Sequence, residues 1–245
     1  MGDELLRVSG LAFERAATGG ERGFRVEVDS LELSAAQAVA VSGPSGCGKS
    51  TLIDLLALLR RPANVERFVF AGHDIARLWA AEGANACAGV RARHIGVVLQ
   101  TGGLLASLPV WENVTLPQAL MGETDEAWCR ELLRALDLVS LEHRLPAQLS
   151  IGQRQRVAIA RALSHRPALV LADEPTAALG REHAHAALNL LLTLTREAGA
   201  ALLIASHDTA LLHAHHVPLL ECVSVAGVTR IEAASCAPRD YVPAS

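Results

Sequence analysis

Several features are scarce in this chain of 245 residues, and each scarcity argues against a class of protein. Aromatic residues make up only 3% of the sequence, which argues against a base-stacking surface for single-stranded nucleic acid. The formal net charge is −4, so the basic face that a nucleic-acid partner requires is not expected. No apolar run is suited to crossing a membrane, and residues 1–7 lack the apolar core of a secretory signal.

Cysteine is present but does not form a recognisable framework. The five cysteines are an odd number, are widely spaced and include no Cys-x-x-Cys pair. A disulfide scaffold or a structural zinc site is therefore not expected, and a reducing compartment is.

Lysine is almost absent, although the chain has 22 basic residues, because all of them except Lys49 are arginines. A compact ammonium group on a thin stem fits where a planar guanidinium does not. The one lysine therefore marks a position where space is tight.

The apolar pattern predicts one large domain that combines strands and helices. Strands are predicted at 5–13, 24–33, 38–42, 65–70 and 95–99, and the apolar run after Gly48 predicts a helix. Segment 79–89 is predicted to be an irregular surface insertion, and 110–145 a helical region without strands. Helices at 152–164, 181–197 and 209–213 then alternate with strands at 168–172 and 201–205, and short strands continue to about 231. Such alternation predicts a parallel sheet flanked by helices.

A glycine-rich segment between a predicted strand and a predicted helix carries the strongest chemical signal. It reads Gly43-Pro44-Ser45-Gly46-Cys47-Gly48-Lys49-Ser50, followed by Thr51, and fits the pattern G-x-x-x-x-G-K-[ST]. Glycines let successive backbone N–H groups point inward at phosphate oxygens, and the helix N-terminus adds the positive end of its dipole. Lys49 is expected to reach the outer phosphates, and the Ser50 hydroxyl is expected to ligate Mg²⁺.

A second signal is the apolar strand that ends in Asp173 and Glu174. Strand ends in parallel sheets face the ligand crevice. Asp173 is expected to hold Mg²⁺, directly or through water. Glu174 is placed to orient or deprotonate the water that attacks the γ-phosphate.

Further motifs show a family resemblance over about residues 5–225. The run from Leu149 to Ala162 resembles the signature helix of ABC transporter ATPases, Ser206-His207-Asp208 resembles their switch-histidine loop, and Gln100 resembles the Q-loop glutamine. Segment 109–117 and the run to Pro175-Thr176 are similar to the lipoprotein-release and macrolide-exporter branch, and the cell-division ATPase of that branch is also similar.

This resemblance implies an α/β fold, namely a P-loop ABC-type ATPase domain. It has a parallel core sheet, an antiparallel N-terminal β-subdomain and an inserted helical lobe. We expect a single domain over 1–232, with the lobe at about 101–165, and a tail over 233–245.

The resemblance also implies a mechanism and partners. Two copies of the chain would sandwich ATP with Mg²⁺, and Ser150, Gly152 and Gln153 of one copy would face the phosphate loop of the other. Gln100 would link Mg²⁺ and water to the helical lobe, and His207 would hold the γ-phosphate and position Glu174. The catalytic set would be Lys49, Gln100, Glu174 and His207, and the metal set Ser50, Gln100 and Asp173. The chain would be a motor on the cytoplasmic face of the inner membrane, with a separately encoded permease and periplasmic or lipoprotein accessory parts.

Three departures from the family pattern bear on this interpretation. Ile151 stands where the signature usually has glycine, Gly180 stands where the D-loop usually has aspartate, and Arg15 stands where a tyrosine usually stacks on adenine, with Phe13 two residues away. The first two favour a second hypothesis, a nucleotide-gated regulatory or scaffold protein with weak turnover. A third hypothesis, an ABC protein of translation or DNA repair, is disfavoured because such chains usually carry two ATPase domains or a long coiled coil.

Some residues allow two interpretations at this stage. His183, His185, His213, His215 and His216 are either a metal site or polar residues of exposed helices. Cys47 is either an ordinary loop residue or a redox-sensitive thiol. Trp111 and Trp128 are either core residues of the helical lobe or contacts to a permease.

Overall fold

A computed structural model gives the fold and describes residues 4–15, 23–225 and 227–232. The strands are β1 (Glu4–Arg15), β2 (Phe24–Ser34), β3 (Ala38–Ser42), β4 (Arg67–Phe70), β5 (His73–Asp74), β6 (Ile95–Val98), β7 (Leu169–Asp173), β8 (Ala201–Ser206), β9 (Leu219–Val225) and β10 (Val228–Glu232). The helices are α1 (Lys49–Leu56), α2 (Ile75–Ala81), α3 (Ala84–His94), α4 (Val110–Met121), α5 (Glu126–Ala135), α6 (Ile151–Leu163), α7 (Arg181–Glu197) and α8 (Thr209–Ala214). Short 3-10 turns lie at Val139–Leu141 and Pro146–Gln148.

The strands of the described residues form one mixed sheet in the order β5-β4-β1-β2-β10-β9-β3-β8-β7-β6. Strands β9, β3, β8, β7 and β6 pair in parallel. On the other side, β2, β1, β4 and β5 pair antiparallel, and β10 joins the two parts. The expected parallel core with an antiparallel N-terminal part is therefore confirmed.

Both faces of the parallel core are covered. Successive strand residues point to opposite faces, so Leu169 and Leu171 pack in the cluster that contains the buried face of α1, whereas Val170 and Ala172 pack in the cluster that contains α6 and α7. All six residues of β8 are buried, as expected for a strand with helices on both sides.

The carboxyl ends of the parallel strands position the candidate site. Strand β3 leads into the glycine-rich loop, β7 ends at Asp173, β8 is followed by His207, and Gln100 lies two residues after β6. Because these ends lie along one edge of the sheet, residues far apart in sequence come together there.

The predicted helical region 110–145 is confirmed, since it contains α4, α5 and a 3-10 turn. Ser150 is the N-cap of helix α6. Its hydroxyl accepts a hydrogen bond from the Gln153 backbone N–H, while the Gln153 side chain accepts one from the Ser150 N–H. This reciprocal capping box fixes where the helix starts.

The prediction of an irregular insertion at 79–89 was wrong, because the segment is helical and packs against the sheet. The Asp74 side chain caps α2 by accepting a hydrogen bond from the Arg77 N–H. Trp79 is 8% exposed and Cys87 is fully buried. The high helix propensity of the alanines, together with this burial, offsets the destabilisation that Gly89 causes inside α3. The predicted tail, 233–245, lies outside the described residues.

His165, which follows α6, gives the fold an expected pH dependence. Its Nε2 lies 3.2 Å from the Ile95 carbonyl oxygen, and its buried Nδ1 has no hydrogen-bond partner. Burial lowers the pKa of His165 more than the hydrogen bond with Ile95 raises it. The neighbouring His94, whose own pKa is lowered by burial, lowers it further, and Glu123 acts in the opposite direction.

The unfolded chain therefore binds more protons than the folded chain below an unfolded pKa of about 6.5. The stability that this histidine contributes is fully present above that pKa and is lost as the pH falls through the lower folded value. We expect the free energy of unfolding, measured with urea, to decrease as the pH is lowered from about 8 to about 5. The fall should be smaller in His165→Gln, whose amide can still donate to Ile95. A fall of the same size in this variant would contradict the assignment to His165.

Candidate active site

The glycine-rich loop between β3 and α1 is held by close backbone packing. Gly48 has a φ of 109°, and a Cβ on it would lie 2.7 Å from the Phe24 Cζ atom, so only glycine fits. No side chain caps α1 at Gly48. The first backbone N–H groups of the helix are therefore left for an anion, as at a phosphate site.

Lys49 is the first residue of α1, and its side chain is only 6% exposed. Its ammonium group donates hydrogen bonds to the Gly43 carbonyl (2.8 Å) and the Pro44 carbonyl (3.2 Å). Nζ also lies 3.8 Å from Glu174 Oε1. The lysine is thus held against the loop, with its charge at the edge of the adjoining cavity.

A cavity of about 410 Å³ opens over this loop, within the usual size range of small-molecule sites. Its wall contains part of the loop, residues of the β1–β2 hairpin, and residues that follow β6, β7 and β8. The lining residues are Phe13, Arg15, Phe24, Ser45, Gly46, Gly48, Lys49, Ser50, Thr51, Arg60, Gln100, Glu174 and His207. The structure thus brings Lys49, Ser50, Gln100, Glu174 and His207 around one space, whereas Gly43, Pro44 and Cys47 do not line it.

Glu174 lines the cavity beside Lys49 and His207. Its Oε1 lies 2.8 Å from His207 Nδ1, and its backbone N–H donates to the Ala205 carbonyl (2.8 Å). Its φ is +47°, a left-handed conformation that costs a residue with a side chain about 1–2 kcal/mol. Such strain is typical of functional positions. The carboxylate can therefore accept a proton or orient water beside the loop.

The Asp173 carboxyl is suited to a divalent cation. The Ser50 hydroxyl hydrogen-bonds to it, and burial raises the pKa of Asp173. Its buried Oδ1 has no hydrogen-bond partner. The hydroxyl and the carboxylate with its free buried oxygen are ligands of the kind that Mg²⁺ prefers, so these residues fit the expected ion. Gln100 lines the same cavity as Ser50, whereas Asp173 does not line it.

The predicted signature residues lie elsewhere on the chain. Ser150, Gly152 and Gln153 are at the start of α6, and none of them lines the cavity. Ile151 is 51% exposed beside them. Gly180, the other departure, is the N-cap of α7 and has open space around it.

The tryptophans and histidines that allowed two interpretations make mostly structural contacts. Trp128 Nε1 donates to the Leu163 carbonyl, and the Arg166 guanidinium lies 4.3 Å from the centre of the Trp128 ring. The Arg130 guanidinium lies 4.7 Å from the centre of the Trp111 ring. Both tryptophans pack against the core of the helical lobe. His185 Nδ1 lies 3.1 Å from His215 Nε2. Among the described residues, no three His, Cys, Asp or Glu side chains form a metal-binding group.

Three residues at or near the site were missed from the sequence. Phe24 pairs with Arg15 across the β1–β2 hairpin, and both line the cavity. Arg60 also lines it, and its guanidinium lies 5.7 Å from the ring centre of Phe13. Cys222, on β9, contacts the loop at Cys47. No sequence signal indicated them, because Arg15, which pairs with Phe24, lies beyond the predicted strand 5–13.

Comparisons with known proteins agree with this geometry. Residues 26–177 match the ABC transporter family profile. The lipoprotein-releasing system ATP-binding protein LolD of Idiomarina loihiensis is 39% identical over 211 residues, which is 85% of this chain and 90% of that protein. The macrolide export ATP-binding/permease protein MacB of Bradyrhizobium diazoefficiens is 40% identical over 182 residues, 73% of this chain and 27% of that protein. A dimeric post-hydrolysis structure of the ATP-binding cassette MJ0796, bound to ADP and Pi, superposes with a TM-score of 0.74 at 26% identity, covering 93% of this chain and 98% of that one.

Proposed function

The chain belongs to the ABC transporter family, and we propose that it is the ATP-hydrolysing motor of a lipoprotein-releasing or related envelope machine. It binds ATP with Mg²⁺ and hydrolyses it, as an ABC ATPase does. The observation that carries the motor role is the contact of Glu174 with His207 at 2.8 Å, beside Lys49 and over the phosphate loop.

In the mechanism that we propose, the loop N–H groups and Lys49 bind the ATP phosphates. Glu174 accepts a proton from the attacking water, or orients it, and His207 keeps the carboxylate in place. Ser50, Asp173 and Gln100 would hold Mg²⁺, which neutralises phosphate charge. At the other end of the cavity, Phe13, Arg15, Phe24 and Arg60 form the wall against which we place the base.

We propose that two copies of the chain act together. Ser150, Gly152 and Gln153 do not face their own cavity, which is consistent with a role toward the cavity of a second copy. The structural neighbour MJ0796 is a dimer. We keep the expected division of the chain, with one ATPase domain over 1–232 and a helical lobe at about 101–165.

We also propose a separate permease as partner. Among the described residues, no helix has the length and apolar character to cross a membrane. MacB is named as a combined ATP-binding and permease protein, and LolD is named as the ATP-binding protein of a lipoprotein-releasing system. These names support a place at the cytoplasmic face of the inner membrane, periplasmic or lipoprotein accessory parts, and a lipoprotein or other envelope molecule as the client.

Co-purification tests the partner. Tagged chain isolated from detergent-solubilised membranes of its own host is expected to carry a polytopic membrane protein, identified by mass spectrometry. A parallel isolation with a tagged cytoplasmic protein corrects for carry-over. Association with ribosomes or DNA repair proteins, and no membrane protein, would instead favour the translation or repair hypothesis.

A nucleotide-gated scaffold remains the second candidate because of Ile151. Its branched, half-exposed side chain begins α6, where the family has glycine, and would face the ATP of the second copy. If Ile151 is a handicap, ATP-driven dimerisation should be weakened but not lost.

We expect Ile151→Gly, placed in a Glu174→Gln background, to tighten the ATP-bound dimer by about tenfold, equivalent to about 1.4 kcal/mol. Analytical size exclusion over a range of protein concentrations measures the change. Val139→Gly is a matched control, because Val139 is also 51% exposed but lies on a 3-10 turn of the lobe. An unchanged dimer in the Ile151 variant would show that this residue is neutral.

A further inference from the structure

Two buried cysteines meet at the phosphate loop. Cys47 belongs to the loop and Cys222 to β9, and each is 4% exposed. The Cys222 thiol donates to the Cys47 carbonyl oxygen at 3.5 Å, and the two thiols also hydrogen-bond to each other. The mechanism uses neither side chain, since Cys47 does not line the cavity.

The two cysteines approach each other beside Gly43, where a side chain would not fit. A Cβ on Gly43 would lie 2.8 Å from Cys222 Cβ and 2.9 Å from Cys47 Sγ, so it would clash with both cysteines. A disulfide requires Cβ atoms about 3.5–4.5 Å apart, which two hydrogen-bonded thiols can reach by small movements.

We propose that Cys47 and Cys222 form a reversible disulfide in the presence of a peroxide, and that the linked form binds ATP weakly. The Cys47 sulfur attacks one peroxide oxygen, the O–O bond breaks, and a sulfenic acid and water are produced. The Cys222 sulfur then attacks the sulfenic sulfur, and a second water leaves as the S–S bond forms. Two thiols are oxidised, the peroxide is reduced, and a dithiol reductant reverses the link.

The order of the two steps follows from the surroundings of the two sulfurs. Burial and the neighbouring Cys47 raise the pKa of Cys222 to about 12, so it stays protonated until a reactive partner is beside it. Cys47 does not line the open cavity, but its chain neighbours Gly46 and Gly48 do, so a small opening of the loop is enough to admit a small oxidant to it. Cys222 therefore acts as the resolving thiol.

The link would act on ATP through the backbone of the loop. The two hydrogen-bonded sulfur atoms must close to about 2.05 Å, which pulls Cys47 toward β9. Cys47 directly precedes Gly48 at the N-terminus of α1, so the same movement shifts the N–H groups that face the phosphates. Formation of the link does not depend on the proposed transporter role.

The test uses the full chain with Cys236→Ser, since Cys236 lies outside the described residues. The protein is treated with hydrogen peroxide, free thiols are blocked, and peptides are identified by mass spectrometry. We expect a linked Cys47–Cys222 peptide, lighter by two hydrogens, that disappears with dithiothreitol. Cys129, buried in the helical lobe, should stay free in the same sample.

Affinity for a fluorescent ATP analogue is then measured before and after oxidation. We expect about tenfold weaker binding after oxidation and recovery on reduction. Cys222→Ser keeps a hydrogen-bond donor to Cys47 but cannot form the link, so its loss of affinity with peroxide, which then reports the Cys47 sulfenic acid alone, should be smaller than that of the parent chain. Absence of the linked peptide would overturn the proposal, and a linked protein with unchanged affinity would overturn control of ATP binding. Reduced protein that binds no ATP would instead count against the proposed function.

Discussion

Glu174→Gln is expected to lower ATP hydrolysis by at least about 100-fold while leaving ATP bound, because an amide cannot take a proton from water. Glutamine has the size of glutamate, so its Oε1 can still accept a hydrogen bond from His207 Nδ1, now 2.8 Å from the carboxylate. The change also removes a negative charge from beside Lys49, where the γ-phosphate is proposed to lie. Binding should therefore not weaken, and an ATP-bound dimer should accumulate.

The measurement is Mg²⁺-dependent phosphate release by the purified chain, with and without detergent-solubilised permease. Glu197→Gln is the matched control, since it makes the same change at an exposed residue at the end of α7 and should keep the wild-type rate. A Glu174 variant that retains half of the wild-type rate would show that another group activates the water. Phosphate release by the wild type that is no faster than release by the variant, even with the permease, would favour the scaffold hypothesis. Ile151 and Gly180 would then be the residues to replace with the glycine and aspartate that are usual in the family.

The polar end of the site could be predicted because its motifs are local. The alternation of strands and helices was enough to bring the loop, Asp173 and Glu174 to one edge, whereas the role of His207 came from the family resemblance. The strain at Glu174 could not be predicted. Its φ is +47° and its N–H donates to the Ala205 carbonyl, and no sequence pattern marks either feature.

Two other features depended on contacts between distant segments. Segment 79–89 lacks a clear apolar period, and its helices are stabilised by burial of Trp79 and Cys87 in the core beside the sheet. The contact of Cys222 with Cys47 joins positions 175 residues apart. Cysteine spacing alone could not indicate it, because strand order decides which cysteines meet.

Lys49→Ala is expected to weaken ATP binding by about 100-fold or more, since it removes a buried cation that would form charge-assisted hydrogen bonds to phosphate. The fold should survive, because the loop is held by glycine packing against Phe24 and Glu174 keeps His207 as its partner. Thermal unfolding without nucleotide checks this point. Binding of wild-type strength in a folded variant would contradict the phosphate-loop assignment.

Lys49→Arg distinguishes the contribution of the positive charge to ATP binding from the contribution of the side chain's shape. The lysine is only 6% exposed and its ammonium fits between two loop carbonyls, so a planar guanidinium should bind ATP poorly although the charge remains.

Because Lys49 is the chain's single lysine, an amine-directed reagent can modify only this residue and the terminal amine. ATP should protect Lys49 from the reagent and leave the terminal amine reactive. Equal labelling of Lys49 with and without ATP would mean that its ammonium group does not meet the phosphates, even if the nucleotide binds.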